Sequence, residues 1–421
     1  MARSFWIETL GCPKNQVDSD KLVGAMLSDG LVAADSAEDA DLVVVNTCAF
    51  VEDARTESVS TILALDDIRA SGSELVVTGC MAERYGDELA RALPEADQVV
   101  GFGVPVSIGR KPGPGNGSIP AMDLLNMARP ATDLPWAYVK VAEGCDKRCG
   151  FCAIPSFRGP QRSREVGSIL DEVDALGAKE IVLIAQDLGS FGRDQGVGTK
   201  SIVALYEAIS QRVEWVRLLY LYPSELSDAL ISVMADGPVP YFDLSLQHVS
   251  APLVRSMRRW GNGRRYLERI NTIRRMRPDA AFRSNFIVGY PGETEADHDE
   301  LLAFVEDAQL DWCGFFAYSP EDGTHAATLP GAVERQLIDD RLAELRELQD
   351  SITASRRDGL IGTRVRVLVD GSGVARSHRE APEIDGIIKV DESLPVGEFT
   401  EVTILDAAGP DLDARTQTVE S

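Results

Sequence analysis

Two long stretches of this chain alternate short apolar runs with amphipathic helical patterns, and this alternation constrains the fold more than any other feature. In the first stretch, residues 1–100, the apolar runs are rich in Val, Leu and Thr, as strands are. Strands are predicted at Phe5–Leu10, Asp41–Asn46 and Glu74–Gly79, and helices at Gln16–Leu27 and Val51–Leu65. Strands and helices that alternate in this way form a parallel sheet covered by helices.

The second stretch, from about residue 136 to 355, contains more units of the same kind. Strands are predicted at Tyr138–Val141, Glu180–Ala185, Trp215–Leu221, Tyr241–Leu246, Ala281–Val288 and Trp312–Tyr318. Helical patterns lie between them, at Ile169–Leu176, Leu226–Met234, Tyr266–Met276 and His298–Ala308, and a long charged helix follows at Gln336–Arg356. About six strand–helix units in one block predict a partial TIM-type (β/α)6 barrel.

The remaining segments complete an α/β chain of three domains. Residues 1–100 form the predicted Rossmann-like domain, and the Gly- and Pro-rich residues 101–134 are interpreted as a linker. The barrel domain is predicted over 135–357. Residues 358–421 carry short β patterns at Arg364–Val369, Gly386–Val390 and Thr400–Leu405, which predict a small antiparallel, OB-like β-barrel.

Charge and cysteine content narrow the functional classes. The 421 residues include 42 basic and 67 acidic side chains, a net charge of −25, which argues against strong nucleic-acid binding and suits a basic partner. The sequence has neither an apolar run long enough to cross a membrane nor a signal-peptide pattern, so we expect a cytoplasmic protein with no membrane partner. Thiols stay reduced there, and seven cysteines then indicate metal or redox chemistry.

The strongest chemical signal is the motif C-x3-C-x2-C formed by Cys145, Cys149 and Cys152, directly after the first barrel strand. Three thiolates can bind three corners of a [4Fe–4S] cluster and leave the fourth iron open. A structural zinc site normally has four Cys or His ligands, and no fourth lies nearby in the sequence. A zinc loop completed by a distant ligand such as His248 or Cys313 is the alternative.

A second set of cysteines is spread along the N-terminal domain. Cys12, Cys48 and Cys80 each follow the C-terminal end of a predicted strand. Those ends lie at one edge of a parallel sheet, where open α/β sheets bind ligands. We therefore expect a second three-cysteine cluster, with three buried core thiols as the alternative.

The motif C-x3-C-x-aromatic-C beside a βα barrel resembles the radical S-adenosylmethionine enzymes, and the whole chain resembles their methylthiotransferase family. The RimO branch, which modifies a ribosomal protein, is matched by Leu10–Asp20, Ile184–Asp187, Leu219–Pro223, Tyr318–Pro320 and Ala381–Gly386. The tRNA-modifying branch usually has Gln-Met where this chain has Pro13-Lys14. The chain departs from the family at Asp20, Asp322 and His298, and it lacks the usual tyrosine before Asp411-Leu412.

The resemblance implies two [4Fe–4S] clusters, with S-adenosylmethionine as both methyl donor and radical source. The reaction would add a methylthio group to the β-carbon of an aspartate in the twelfth small-subunit ribosomal protein, with Cys145, Cys149 and Cys152 in the catalytic centre. The reaction would also need an external electron donor and a sulfur donor. The acidic last domain is consistent with a basic ribosomal protein as the substrate. The alternatives are methylthiolation of a tRNA adenosine and a non-catalytic iron–sulfur carrier; the six-strand barrel argues against the carrier.

Six further residues are candidate contacts of S-adenosylmethionine, because they lie beside the cysteine loop or at strand ends. They are Phe151, Arg164, Gln186, Asp187, Gln247 and Gly289. A turn or a solvated helix face is the alternative at these positions. We interpret Cys313, inside an apolar strand, as a core residue.

One basic run interrupts the acidic sequence, between Arg255 and Arg277. Its aromatic residues are sparse, with only Trp260 and Tyr266, and apolar residues at helical spacing accompany the arginines. A solvated helix of the barrel is the favoured interpretation, and a contact with ribosomal RNA near the substrate is the alternative.

Overall fold

A computed structural model describes residues 2–102, 123–197 and 201–416, so most of the predicted linker lies outside the described residues. The N-terminal sheet has the order β2-β1-β3-β4-β5, with every pairing parallel. Its strands are β1 (Ser4–Thr9), β2 (Val32–Ala33), β3 (Leu42–Thr47), β4 (Glu74–Gly79) and β5 (Gln98–Val99). Its helices are α1 (Pro13–Ser28), α2 (Glu52–Ile68) and α3 (Cys80–Ala92). The predicted parallel sheet is confirmed.

Strand β3 forms the centre of this domain, and all six of its residues are buried. Its side chains alternate between two cores, because successive residues of a strand point to opposite faces. Val43 packs with Ile62 of α2 on one face, and Leu42 packs with Leu22 of α1 on the other. A sheet covered on both faces leaves its strand ends as the place for polar and reactive groups.

Helix α3 was not expected from the sequence. It begins at Cys80, immediately after β4, and Gly86 has non-helical angles (φ 38°, ψ −113°) inside it. A glycine inside a short helical pattern weakens the sequence signal, whereas packing of Met81 and Leu89 into the core holds the helix in place.

Two compact units divide the chain. The first comprises Met1–Ala131, Lys140–Asp146 and Ala153–Glu172. The second comprises Thr132–Val139, Lys147–Cys152 and Val173–Ser421. Within the first unit, β7 (Ala142–Glu143) and β8 (Arg162–Ser163) form a short antiparallel pair.

Six further strands form the central barrel in chain order. They are β6 (Trp136–Lys140), β9 (Glu180–Ile184), β10 (Trp215–Leu218), β11 (Tyr241–Gln247), β12 (Ala281–Val288) and β13 (Trp312–Ala317). The first three form one sheet and the last three another, and a parallel bridge between Leu221 and Leu244 joins the two. The expected partial (β/α)6 barrel is confirmed.

Helices separate these strands, as the period of the sequence predicted. They are α4 (Ile154–Arg158), α5 (Val166–Leu176), α6 (Ser201–Ser210), α7 (Asp228–Asp236), α8 (Ala251–Ser256), α9 (Gly263–Met276), α10 (Glu295–Ala308) and α11 (Arg335–Asp358). Helix α10 begins with a capping box between Thr294 and Asp297. None of the described helices is both long and apolar enough to cross a membrane.

The last strands close into a small barrel with the order β14-β15-β16-β18-β17. They are β14 (Arg364–Gly371), β15 (Val374–Arg376), β16 (Ile388–Lys389), β17 (Phe399–Ala408) and β18 (Asp411–Thr416). All pairings are antiparallel except that of β16 with β18, so the expectation of an antiparallel barrel holds apart from this one pair. Closure leaves no unpaired strand edge.

The loop between β15 and β16 is bound to strands of the central barrel. Tyr241, the first residue of β11, donates to Asp385 (2.6 Å), and the indole of Trp312, the first residue of β13, donates to the carbonyl of Arg379 (2.7 Å). These partners lie at the N-terminal ends of the strands. The motif Ala381–Gly386 therefore has a structural role at the end of the barrel opposite the strand C-termini.

Candidate metal centres

Cys12, Cys48 and Cys80 follow the C-terminal ends of β1, β3 and β4, as the sequence predicted; Cys48 and Cys80 come directly after their strands, and Cys12 comes after Leu10 and Gly11. Cys12 is the N-cap of α1 and Cys80 is the first residue of α3. Cys48 and Cys80 are each only 6% exposed, and Cys12 is half-buried. The three thiols thus belong to neighbouring strands at one edge of the sheet.

Two glycines show how closely the backbone approaches here. Gly11 has φ 97°, and a Cβ on it would lie 2.9 Å from the sulfur of Cys48. Gly79 has φ 93°, and its Cβ would lie 2.6 Å from the backbone nitrogen of Thr47. Only glycine adopts such angles easily and leaves this space, so both turns depend on it.

Burial raises the pKa of two thiols of this triad, those of Cys48 and Cys80. The pKa of Cys48 is raised to about 11, chiefly by burial; a backbone N–H at Phe50 opposes the shift, and the neighbouring thiols of Cys80 and Cys12 add to it. Burial also raises the pKa of Cys80, against the positive charge of Arg158. Iron favours thiolate over thiol, so metal binding here releases protons.

Arg158 lies against the first triad and was not predicted as a site residue. Its Nη2 donates to the sulfur of Cys80 (3.0 Å) and to Oδ1 of Asn15 (2.8 Å). Its guanidinium also stacks on the ring of Phe102, 4.1 Å from the ring centre. A charged donor on a ligand sulfur stabilises the thiolate and affects the potential of a bound cluster.

Two carboxylates hold Arg158 in place. Its Nη1 lies 3.0 Å from Asp18 and 3.1 Å from Glu143, and the ammonium of Lys140 pairs with both carboxylates. Asp18 and Lys140 have at most 1% of their side chains exposed. Buried charges are tolerated only when paired in this way, so the network fixes Arg158 beside Cys80.

Asn15 connects this network to the backbone. Its Nδ2 donates to the carbonyls of Leu10 (2.9 Å) and Thr47 (3.1 Å), which precede Cys12 and Cys48 in the chain. It is fully buried. The amide therefore holds two of the three cysteine-bearing turns while it accepts from Arg158.

The loop that carries the other triad is held by backbone hydrogen bonds. The N–H of Cys145 donates to the carbonyl of Gly159 (3.1 Å), and the N–H of Cys152 donates to that of Cys149 (3.2 Å). Gly150 donates to the carbonyl of Met257 (2.8 Å) and accepts from the N–H of Ala326 (2.7 Å). The loop thus has a defined path without help from the cysteine side chains.

A second arginine contacts this triad. The Nη1 of Arg259 lies 3.3 Å from the sulfur of Cys149, and its Nη2 donates to the carbonyl of Ser245. Its guanidinium stacks on Tyr222, 4.0 Å from the ring centre. One arginine therefore contacts one cysteine sulfur in each triad.

No group of three or more His, Cys, Asp or Glu side chains, as arranged in residues 2–102, 123–197 and 201–416, would hold a metal ion. The fit to iron–sulfur clusters is therefore judged on the donors: three thiols per triad, with the close approach at Gly11 in the first and a backbone-held loop in the second. Thiolates are the ligands that such clusters use. The residues present fit the group.

The two distant zinc ligands considered above have other surroundings. The Nδ1 of His248 accepts from the N–H of Ser250 (3.1 Å), and burial lowers the pKa of the imidazole to about 4. Cys313 pairs with Ser284 along β12 and β13, and burial raises the pKa of its thiol. Cys313 thus lies within the strand pairing.

Phe151, a candidate cofactor contact, lies on the cysteine loop between Cys149 and Cys152, and Asp187, another candidate, lies near the loop. The ring of Phe151 packs against a cluster that includes Met257 and Tyr290. Asp187 accepts from the hydroxyl of Ser190 (2.7 Å) and lies 3.6 Å from the ammonium of Lys147, a residue of the loop. Gln186 precedes it and is half-buried just past β9.

Gln247 and Gly289 differ in what they offer to a ligand. Gln247 has φ 71°, a left-handed conformation that is unusual for a residue with a side chain, and the β11–β12 register shifts there. Such strain is concentrated at functional sites. The N–H of Gly289 already donates to Glu293 (2.7 Å).

Arg164 is held inside the first unit. It pairs with Glu172 (2.5 Å), donates to the carbonyls of Lys140 and Ser168, and is 3% exposed. These contacts support a structural role. The sequence offered no signal that separates Arg158 or Arg259 from the other arginines, because neither has a characteristic spacing from the cysteine that it contacts.

Three family models match consecutive parts of the chain. Residues 4–101 match the uncharacterized protein family UPF0004, residues 139–305 match the radical SAM superfamily, and residues 361–416 match the TRAM domain. The matches therefore cover the N-terminal sheet, most of the central barrel and the last barrel.

Curated relatives match over nearly the full length. The ribosomal protein uS12 methylthiotransferase RimO of Moorella thermoacetica is 41% identical, over 94% of this chain and 95% of the relative. The proteins of the same name from Cutibacterium acnes and Thermotoga maritima are 38% and 39% identical, over 97% and 94% of this chain and 96% of each relative.

Two solved structures show a more distant similarity. The radical S-adenosylmethionine methyltransferase TsrM from Kitasatospora setae is 14% identical with a TM-score of 0.48, and the match covers 77% of each chain. Coproporphyrinogen III oxidase from Escherichia coli is also 14% identical, with a TM-score of 0.41 over 60% of this chain and 65% of that one.

Proposed function

The chain belongs to the family of ribosomal protein uS12 methylthiotransferases, and on that premise we propose that it adds a methylthio group to the β-carbon of an aspartate in uS12. The enzyme is a radical S-adenosylmethionine transferase, and its cofactors are two [4Fe–4S] clusters and S-adenosylmethionine. The observation that carries the proposal is the presence of two separate cysteine triads, each supported by its own arginine.

The two triads have different tasks in this proposal. Cys145, Cys149 and Cys152 hold the cluster that binds S-adenosylmethionine, and Cys12, Cys48 and Cys80 hold the cluster that carries the sulfur. When bound, these groups supply the electron, the 5′-deoxyadenosyl radical and the methylthio group. The chain itself supplies the ligands and the charged groups around them.

The residues around each triad orient it. Arg158 donates to the sulfur of Cys80, and Asn15 fixes the turns that carry Cys12 and Cys48. Arg259 holds Cys149 against the barrel.

Four residues near the loop or at strand ends are proposed to contact S-adenosylmethionine: Phe151, Gln186, Asp187 and Gln247. Phe151 offers an apolar ring beside the loop, and Asp187 offers a carboxylate for the cofactor's ammonium group. The guanidinium of Arg164 already pairs with Glu172, and the N–H of Gly289 already donates to Glu293.

Charge supports the proposed substrate. The net charge of −25 attracts a basic protein over long range, and ribosomal proteins are generally basic. The last domain adds to this field, with six basic and 13 acidic residues after residue 357. A cytoplasmic enzyme with an external electron donor and a sulfur donor completes the proposal.

The domain boundaries are proposed as 1–100, 101–134, 135–357 and 358–421. The three family matches, which begin at residues 4, 139 and 361, support them.

An anaerobic reconstitution tests the function. The protein is loaded with iron and sulfide, supplied with reductant and S-adenosylmethionine, and offered uS12 and bulk tRNA in parallel. We expect mass spectrometry to find the methylthio group on an aspartate of uS12 and none on tRNA. Methylthio-adenosine in tRNA with unmodified uS12 would contradict the proposed substrate, and absence of 5′-deoxyadenosine would contradict the radical chemistry.

A further inference from the structure

The surface beside the cysteine loop is basic, although the protein as a whole is acidic. The arginine patch consists of Arg255, Arg258, Trp260, Arg264 and Arg265, which extend from the end of helix α8 to the first turn of α9. All five side chains are exposed, with 39% of the surface of Trp260 accessible. The guanidinium of Arg265 lies 5.8 Å from the centre of the Trp260 ring.

The four arginines of the patch form no ion pair with any carboxylate in the part of the chain that the structure describes. Farther along α9, Arg269 pairs with Asp228 (2.5 Å), and Arg277, which ends that helix, pairs with Asp279 (2.7 Å). Acidic residues outnumber basic ones by 67 to 42, so four arginines without an ion pair within residues 255–265 are unusual for this chain. They leave a local positive field for a partner to neutralise.

Backbone contacts place the patch beside the radical centre. Met257 accepts from Gly150, which lies between Cys149 and Cys152, and the hydroxyl of Tyr290 donates to the carbonyl of Ser256 (3.2 Å). Arg258, next in the chain, has φ 54° and is exposed, whereas its neighbour Arg259 contacts Cys149. A substrate that reaches the cluster loop therefore passes close to the patch.

The chemistry of the patch does not suit a free ribosomal protein. A basic protein is repelled by four arginines, and one target aspartate offers a single negative charge. A phosphate backbone offers a row of charges, and an exposed indole offers a surface on which a base can stack. We infer that the arginine patch binds RNA phosphates, so the enzyme takes uS12 as part of an RNA-containing particle.

This inference rests on the proposed function, because it specifies the form in which uS12 is presented. The test compares free uS12 with small ribosomal subunits that lack the modification. The double variant Arg264→Glu/Arg265→Glu reverses two charges and leaves Arg259 intact. The matched control is Arg364→Glu on strand β14, an exposed arginine of the last barrel. Iron content and thermal unfolding confirm that each holoenzyme is folded.

We expect the double variant to lose about tenfold in kcat/KM on subunits at moderate salt, and to keep its activity on free uS12. Its activity on subunits should depend less steeply on salt, by about two in the log–log slope. In fluorescence anisotropy, a short labelled single-stranded RNA should bind the wild type and the control but bind the double variant more weakly.

Three results would overturn the inference. In the first, the double variant loses as much activity on free uS12 as on subunits, which would assign the patch to the protein substrate. In the second, the double variant and the control are equally active on subunits. In the third, the double substitution leaves RNA binding unchanged. If the wild type modifies neither substrate, the proposed function fails. The anisotropy measurement still decides whether the patch binds RNA.

Discussion

The two cysteine triads reach similar chemistry by different routes. The first gathers Cys12, Cys48 and Cys80 from the ends of three strands, and successive cysteines are more than 30 positions apart along the chain. The second places its cysteines on one loop whose path is fixed by backbone hydrogen bonds. The first triad therefore depends on the folded sheet, whereas the second is contiguous in sequence and its loop is held in part by Met257 and Ala326.

The charged residues around the two triads also differ, because the arginine of the first triad is held by more partners than that of the second. Arg158 is bound by Asp18 and Glu143 in a buried network, together with Lys140. Arg259 forms no ion pair among the described residues and is held by the ring of Tyr222 and a backbone carbonyl. Cysteines that come from distant strands need many stabilising contacts around them, whereas cysteines on one loop need fewer such contacts.

The largest expected effect separates the triads by their chemistry. Cys149→Ala should abolish release of 5′-deoxyadenosine and product formation, because the cluster that cleaves S-adenosylmethionine loses a ligand. Cys80→Ala should abolish only the methylthio product. Chromatography of 5′-deoxyadenosine and mass spectrometry of uS12 measure both. Loss of cofactor cleavage in the folded Cys80→Ala variant would contradict the proposed division of tasks between the two triads.

The next effect concerns the buried network of the first triad. Arg158→Met leaves Asp18 and Glu143 without one of their cations, so we expect about 3–5 kcal/mol of lost unfolding free energy. Arg158→Lys keeps the charge and should recover part of it. Urea unfolding followed by circular dichroism measures the change. A loss below about 1 kcal/mol would show that the network is not structural.

A pH effect distinguishes the two units, because all four histidines lie in the second. Burial lowers the pKa of His248 to about 4, with Asp297 opposing the shift and His298 and Arg341 adding to it. The unfolded imidazole, with a pKa near 6.5, takes up a proton first. Stability from this group is therefore present above pH 6.5 and lost as the pH falls toward 4.

The expected loss from His248 is about 3 kcal/mol at pH 4. Asp385 has the opposite effect on the stability of the folded state as the pH falls, because burial raises the pKa of its carboxyl group to about 6. The measurement is therefore a comparison: unfolding of His248→Gln and wild type from pH 7 to 4. The variant should lose less stability over this range, and parallel curves would refute the assignment.

A smaller effect tests Arg259 as a positioning residue. Arg259→Met removes the donor on Cys149, and we expect about a tenfold decrease in the rate of cofactor cleavage. The midpoint potential of the loop cluster, followed by electron paramagnetic resonance, should also shift. Arg259→Lys keeps the charge and should restore the potential in part. An unchanged potential in both variants would leave only a packing role.

The smallest effect is expected at the seventh cysteine. Cys313→Ala should leave iron content and product formation unchanged and alter stability by about 1 kcal/mol or less, because the thiol lies within the pairing of β12 and β13. Iron analysis after reconstitution checks this. A decrease in bound iron would indicate that Cys313 is a metal ligand.

The sequence by itself determined the order of strands and helices, because apolar periodicity fixes local structure and buried faces. It placed Glu74–Gly79 and Ala281–Val288 at their observed bounds. It also identified both cysteine triads, since a local spacing and three strand-end positions are visible without coordinates.

Only the tertiary structure decided which charged residues accompany the cysteines. Arg158 meets Cys80 across 78 positions of the chain, and Arg259 meets Cys149 across 110. Arg164, a candidate cofactor contact from the sequence, pairs with Glu172, and the sequence did not predict that partner. A charge carries no periodicity, and its partner is set by which side chains the folded backbone brings within a few ångströms.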